Sequence, residues 1–110
     1  MTDHEIIDQA KETLRIEYCA IEAVGERLGP DFVRACHMLL ETDGRAIVSG
    51  IGKSGAVGRK LVGTLASTGT PALFLHPAEA IHGDLGMVCD RDVVIMLSNS
   101  GESDELARIL

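Results

Sequence analysis

Two short segments concentrate the residues of this chain that could do chemistry: Gly50-Ile51-Gly52-Lys53-Ser54-Gly55 and Ser98-Asn99-Ser100-Gly101-Glu102-Ser103. Glycines let main-chain N–H groups converge on an anion, and a following helix N-terminus adds partial positive charge. Serine hydroxyls supply further donors. That combination suits capture of a phosphorylated small molecule, with Lys53 as a positive charge inside the first turn. Carboxylates stand close by in sequence. Glu102, Asp104 and Glu105 crowd the first turn of a predicted helix, where they either complement its dipole or turn one carboxylate toward the ligand's carbons.

A third group, His76-Pro77-Ala78-Glu79 with His82 and Asp84, follows another apolar run. Histidine and carboxylate are zinc ligands, but the H-E-x-x-H pattern is absent. Positions i and i+6 differ by about 240° around a regular helix, so one helix would not focus His76, Glu79 and His82 on one ion. Pro77 and Gly83 loosen that geometry, so a zinc site through His82 stays open as an accessory and not a requirement. The alternative is that His76 and His82 cap the turn or bond substrate hydroxyls. His4 and His37 have no motif around them.

The first glycine turn also matches G-x-G-x-x-G, but the acidic residue expected about 20 positions later is replaced by Leu75 and His76. A P-loop needs Gly five residues before Gly52, and Ile47 stands there, so the nucleotide-triphosphate motif fails on spacing.

The elements that must position these groups follow from periodicity. Thr2-Asp3-His4-Glu5 reads as a capping box opening a first helix. Ile7, Leu14, Ile21 and Leu28 repeat every seven residues along it, with Glu17 interrupting the seam. Such a stripe packs either on its own domain or against another subunit. Gly29-Pro30 closes this helix and starts a second, whose face is Phe32, Val33, Cys36, Leu39 and Leu40, with a stop at Gly44. Strands are predicted at Ala46-Ile47-Val48, Ala72 to Leu75, and Val93 to Leu97, with a helix through Val57, Leu61, Val62, Leu65 and Ala66 between the first two. The continuous apolar run of the third strand predicts burial on both faces.

Strand, helix and strand in this order predict an α/β fold, a three-layer parallel sheet with flanking helices, with ligands beyond the carboxyl ends of the strands. Both glycine turns and His76 fall at that edge. Residues 1–44 are expected as a helical lead-in and 45–110 as the start of the α/β domain, whose sheet stops after three strands. The net charge of −7, one Tyr and two Phe argue against nucleic-acid binding by phosphate neutralisation or base stacking. No segment reads as a signal peptide or a bilayer span. Three scattered cysteines without a CxxC pair, Cys36 among them as a buried thiol, fit a reducing cytoplasm.

Five ordered segments together resemble the sugar isomerase (SIS) domain, and within it the bacterial D-arabinose 5-phosphate isomerases. They are Ser49 to Gly55, Leu65 to Pro71, His76 to Ala80, His82 to Met87, and Leu97 to Ser103. The resemblance implies a flavodoxin-like sheet and interconversion of D-ribulose 5-phosphate and D-arabinose 5-phosphate through a cis-enediol, feeding Kdo and lipopolysaccharide synthesis. It further implies Lys53, Glu79 and Glu105 as catalytic residues, with His82 lining the pocket and Gly52, Ser54, Ser98, Asn99, Ser100, Gly101 and Ser103 around the substrate. No cofactor is required. The family implies a cytoplasmic homo-oligomer, commonly a tetramer, often with paired CBS domains after the SIS domain. Its remaining strands and a further catalytic histidine are expected beyond Leu110. The chain departs from the pattern at Ala56, where the family commonly carries His. A non-catalytic SIS module that senses a sugar phosphate is the competing expectation.

Overall fold

The computed structural model describes residues 1–101 together with Ala107. It divides into two compact units, Met1–Cys36 and His37–Leu110. The first unit is dominated by α1, Asp3–Arg27. The capping box forms as its sequence requires: Thr2 Oγ1 accepts from the Glu5 N–H at 3.2 Å, and Glu5 Oε2 accepts from the Thr2 N–H at 2.7 Å. No residue of α1 is buried. Leu28 takes an extended conformation that ends the helix, and α2 follows at Pro30–Glu41, crossing the boundary between the units.

In the second unit the chain runs β1 (Ala46–Gly50), α3 (Gly52–Ser67), β2 (Ala72–Phe74), α4 (Pro77–Ile81), a 3-10 turn at Asp84–Met87, and β3 (Val93–Leu97). The three strands are parallel in the order β2-β1-β3. Every residue of β1 is buried, and Ile47, Val48 and Ser49 have no exposed surface. α3 covers one face. A Cβ on Gly58 would stand 3.1 Å from both the Val48 side chain and the Phe74 ring, so a glycine allows that close approach. On the other face Ile47, Leu75 of the β2–α4 link and Ala80 of α4 form the small core, with Leu73 and Val88 against it.

Two expectations are corrected. β1, not β3, is the doubly buried strand, while Val94 of β3 is 40% exposed. Both runs are short and continuously apolar, and periodicity cannot separate a central strand from an outer one. Cys36 is half-buried instead of enclosed, and Cys19 and Cys89 are exposed.

The amino-terminal edge of the sheet is tied by side chains. Asp92, whose side chain is 2% exposed, accepts from the Arg45 N–H at 2.8 Å, from Arg45 Nη2 at 3.1 Å and from the Cys89 N–H at 2.8 Å. Arg45 Nη2 also donates to the Met87 carbonyl at 2.7 Å. The Arg45 guanidinium, helped by the two main-chain N–H groups, holds the Asp92 carboxyl well below the usual carboxylate range. Thr42 Oγ1 donates to the Arg91 carbonyl, which joins the start of β1 to the start of β3.

Candidate functional site

At the opposite edge, the register pairs Gly50 with Leu97, so the turns after β1 and β3 leave the sheet side by side. The first turn needs its glycines for separate reasons. Gly52 has φ +58°, a left-handed conformation that a side chain disfavours. Gly55 lies against the strand end: a Cβ there would sit 2.6 Å from the Gly50 carbonyl oxygen. The first turn of α3 is thereby pressed onto the end of β1, which sets where Lys53 and Ser54 emerge.

In the second turn Gly101 takes φ +71°, and its N–H donates to Ser98 Oγ at 2.9 Å. The result is a cleft of about 460 Å³ lined by Lys53, Ser54, Val57, Leu97, Ser98 and Asn99. Four expected site residues, Lys53, Ser54, Ser98 and Asn99, therefore share one cavity. Lys53 is exposed and makes no ion pair among the described residues. A cation beside hydroxyl and amide donors at a helix start can hold a dianionic phosphate and still present charge to the rest of the ligand.

Val57 and Leu97 were not singled out as site residues in the sequence. Val57 stands one helical turn beyond Lys53, on the same face of α3, and that i, i+4 spacing was its available signal. Leu97 ends β3 where the serine turn starts.

Glu79 and His82 belong to the segment after β2 and are not among the residues lining this cleft. Glu79 and His82 are both exposed. His76 is the N-cap of α4: its Nδ1 accepts from the Ala78 N–H at 3.1 Å, and Pro77 occupies the first helical position. This is the capping role left open for it. Among the described residues, no three His, Cys, Asp or Glu side chains are arranged to hold a metal ion. Ser100 belongs to the second turn, while Ser103 and Glu105, with Glu102 and Asp104, lie outside the described residues.

Comparison with known proteins is consistent from end to end. Residues 38–110 match the SIS domain family. The chain is 51% identical over 105 residues to an Escherichia coli K12 protein named arabinose 5-phosphate isomerase GutQ, covering 96% of this chain and 33% of that protein. It is also 51% identical over 106 residues to arabinose 5-phosphate isomerase KdsD of Pseudomonas aeruginosa, covering 96% and 32%. The chain thus spans about a third of the length of these curated relatives. A solved structure of an E. coli CFT073 protein in complex with arabinose 5-phosphate superposes with a TM-score of 0.93 at 43% identity, covering 100% of this chain and 58% of that one. No helix among the described residues is long and apolar enough to cross a membrane.

Proposed function

This chain belongs to the SIS domain family, and from that premise we propose that the protein interconverts D-arabinose 5-phosphate and D-ribulose 5-phosphate. The observation that carries the proposal is the single cleft in which Lys53 and Ser54 of one turn meet Ser98 and Asn99 of the other. Relatives at 51% identity that bear the name arabinose 5-phosphate isomerase support the substrate.

Moving a carbonyl between C2 and C1 requires a base that removes a carbon-bound proton. From the aldose the proton leaves C2, its electron pair forms a C1=C2 double bond, and O1 gains a proton to give the cis-enediol. Return of a proton to C1, with loss of the O2 proton, yields the ketose. In this scheme Glu105 is the base that carries the proton, and Glu79 orients the sugar or assists as the acid. Lys53 stabilises negative charge developing on the enediolate oxygen, the preorganised electrostatic role that a fixed ammonium suits. Ser54, Ser98, Ser100 and Ser103, with the Gly52, Asn99 and Gly101 backbone, hold the phosphate. His82 lines the sugar end. No cofactor is needed, and zinc at His82 would be an accessory.

Homo-oligomeric assembly through the exposed stripe of Ile7, Leu14, Ile21 and Leu28, a cytoplasmic setting and supply of a Kdo pathway complete the proposal.

The test follows ketose formation from D-arabinose 5-phosphate, with this chain and with a version extended at its C-terminus to the length of the relatives. Conversion is expected, and in the converting protein Glu105→Gln is expected to abolish loss of the C2 proton to solvent. Binding of the sugar phosphate without conversion by either protein would replace the isomerase with a sensor. Normal proton exchange in Glu105→Gln would move the base elsewhere.

A further inference from the structure

The two glycine turns and the α4 segment reach one edge of the sheet by different routes, and the third route depends on one hydroxyl. α3 is set by the contact of Gly55 with the Gly50 carbonyl. The Ser98 turn is set by the pairing of Gly50 with Leu97. The segment carrying Glu79 and His82 has neither device.

The parallel ladder between β1 and β2 pairs Val48 with Phe74, and its last main-chain bond runs from the Leu75 N–H to the Val48 carbonyl at 2.8 Å. Continued by two residues, the ladder would require residue 77 to donate to the Gly50 carbonyl. Pro77 has no N–H, and the Gly50 carbonyl lies under Gly55. The bond in between, from the Gly50 N–H to the Leu75 carbonyl, is also absent among the described residues, and that carbonyl stands in a position that is 3% exposed. Its partner is the hydroxyl of Ser49, which donates to it at 2.5 Å. Ser49 itself has no exposed surface, and no other described residue donates to this carbonyl. From that point His76 caps α4, and Ala80 of α4 joins Leu75 in one core cluster with Ile47, two residues before Ser49 on the same face of β1.

We propose that Ser49 is a positioning residue: its buried hydroxyl takes over the terminated ladder at Leu75 and thereby registers Glu79 and His82 against the Lys53–Ser54 turn. Ser49 lies immediately before that turn, has no exposed surface and is not among the residues lining the cleft. One strand end thus fixes the phosphate-binding turn through its backbone and the sugar-facing segment through its side chain. The inference rests on the isomerase proposal only for its consequence in turnover; its structural content does not.

The experiment compares wild type, Ser49→Ala and Ser49→Thr by amide hydrogen exchange and by steady-state kinetics. In Ser49→Ala the amides of Ala80 in α4 and of His82 and Gly83 just after it, which all donate to carbonyls of this segment, are expected to exchange about tenfold faster, as loss of one buried hydrogen bond implies. The amides of Gly55 in α3 and of Thr68 at its C-cap should keep wild-type rates. Affinity for inorganic phosphate should stay within about twofold. Turnover should fall about ten- to a hundredfold at nearly constant KM, the signature of a misplaced reacting group. Ser49→Thr, which keeps the hydroxyl, should recover most of both. Unchanged α4 exchange in Ser49→Ala overturns the proposal, and so does a loss of protection spread equally over α3. If the wild-type protein shows no turnover, the isomerase proposal fails on its own, and the exchange pattern still decides the role of Ser49.

Discussion

The two ends of β1 and β3 are built on opposite plans. At the amino-terminal edge, side chains close the structure: Asp92 accepts from Arg45 and Cys89, Arg45 reaches the Met87 carbonyl, and Thr42 bonds the Arg91 carbonyl. At the carboxyl-terminal edge the backbone does most of the positioning, through Gly52, Gly55 and Gly101, and side chains such as Lys53 are left facing a cleft. A fold that spends its polar side chains on one edge is stabilised there; one that withholds them at the other keeps donors for a ligand. Ser49 is the exception that joins the plans, a side-chain tie placed at the backbone-built edge.

The largest effect that could sharpen this contrast is expected at Lys53. Removing a single preorganised charge from a developing oxyanion costs about 10²–10³ in turnover. Lys53→Met should therefore lose activity by that factor. Because Lys53 is exposed and makes no ion pair among the described residues, stability should move by no more than about 0.5 kcal/mol. Thermal melts run beside the kinetics read both quantities. A large drop in melting temperature would mean that the functional edge is also a structural one.

The mirror-image experiment is Gly44→Ala. A Cβ at Gly44 would collide with the carbonyl of Arg91 and stand 2.9 Å from the Asp92 nitrogen. Those are backbone atoms that cannot swing aside, so strain of about 1–3 kcal/mol is expected, as for other overpacked sites. For a domain of this size that lowers the melting temperature by about 4–8 °C per kcal/mol. Turnover per folded molecule should be unchanged. Equal loss of turnover and stability would break the division between the edges.

Much of the backbone-built edge was legible in the sequence, because glycine positions and apolar runs are local signals. Gly52, Gly55 and Gly101 marked the turns, Val93 to Leu97 is the third strand as expected, and Thr2 and Glu5 form their capping box. Lys53, Ser54, Ser98 and Asn99 could be grouped in advance because strand order alone brings both turns to one edge. The side-chain ties were not legible. Arg45 and Asp92 are 47 residues apart and carry no spacing signal, and Ser49 could be seen as part of a glycine motif but not as the partner of a carbonyl 26 residues away. The central place of β1 was missed for a related reason: which strand lies in the middle depends on pairings between segments, while periodicity reports one segment at a time.

The smallest effect, and the one that isolates the side-chain-built edge, is a pH dependence at Asp92. Its carboxyl is held low chiefly by Arg45, then by the Cys89 and Arg45 main-chain N–H groups. A group whose folded value is depressed contributes stability that is fully present above its unfolded value, about 3.9 for Asp, and that disappears as pH falls toward the folded value. Wild-type melting temperature should therefore decline as pH is lowered below about 4, in part through this group. Asp92→Asn removes the titration, and its amide nitrogen would face the Cys89 N–H or Arg45, donor against donor. The variant should be less stable at pH 7 and its melting curve flatter below pH 4, so that the two proteins converge in acid. The Glu12–Arg15 pair, whose carboxylate is also lowered, is exposed on α1 and should add little to the difference. Parallel curves across the whole range would place the acid-sensitive stability outside this edge and leave the Arg45–Asp92 tie as geometry without a net electrostatic contribution.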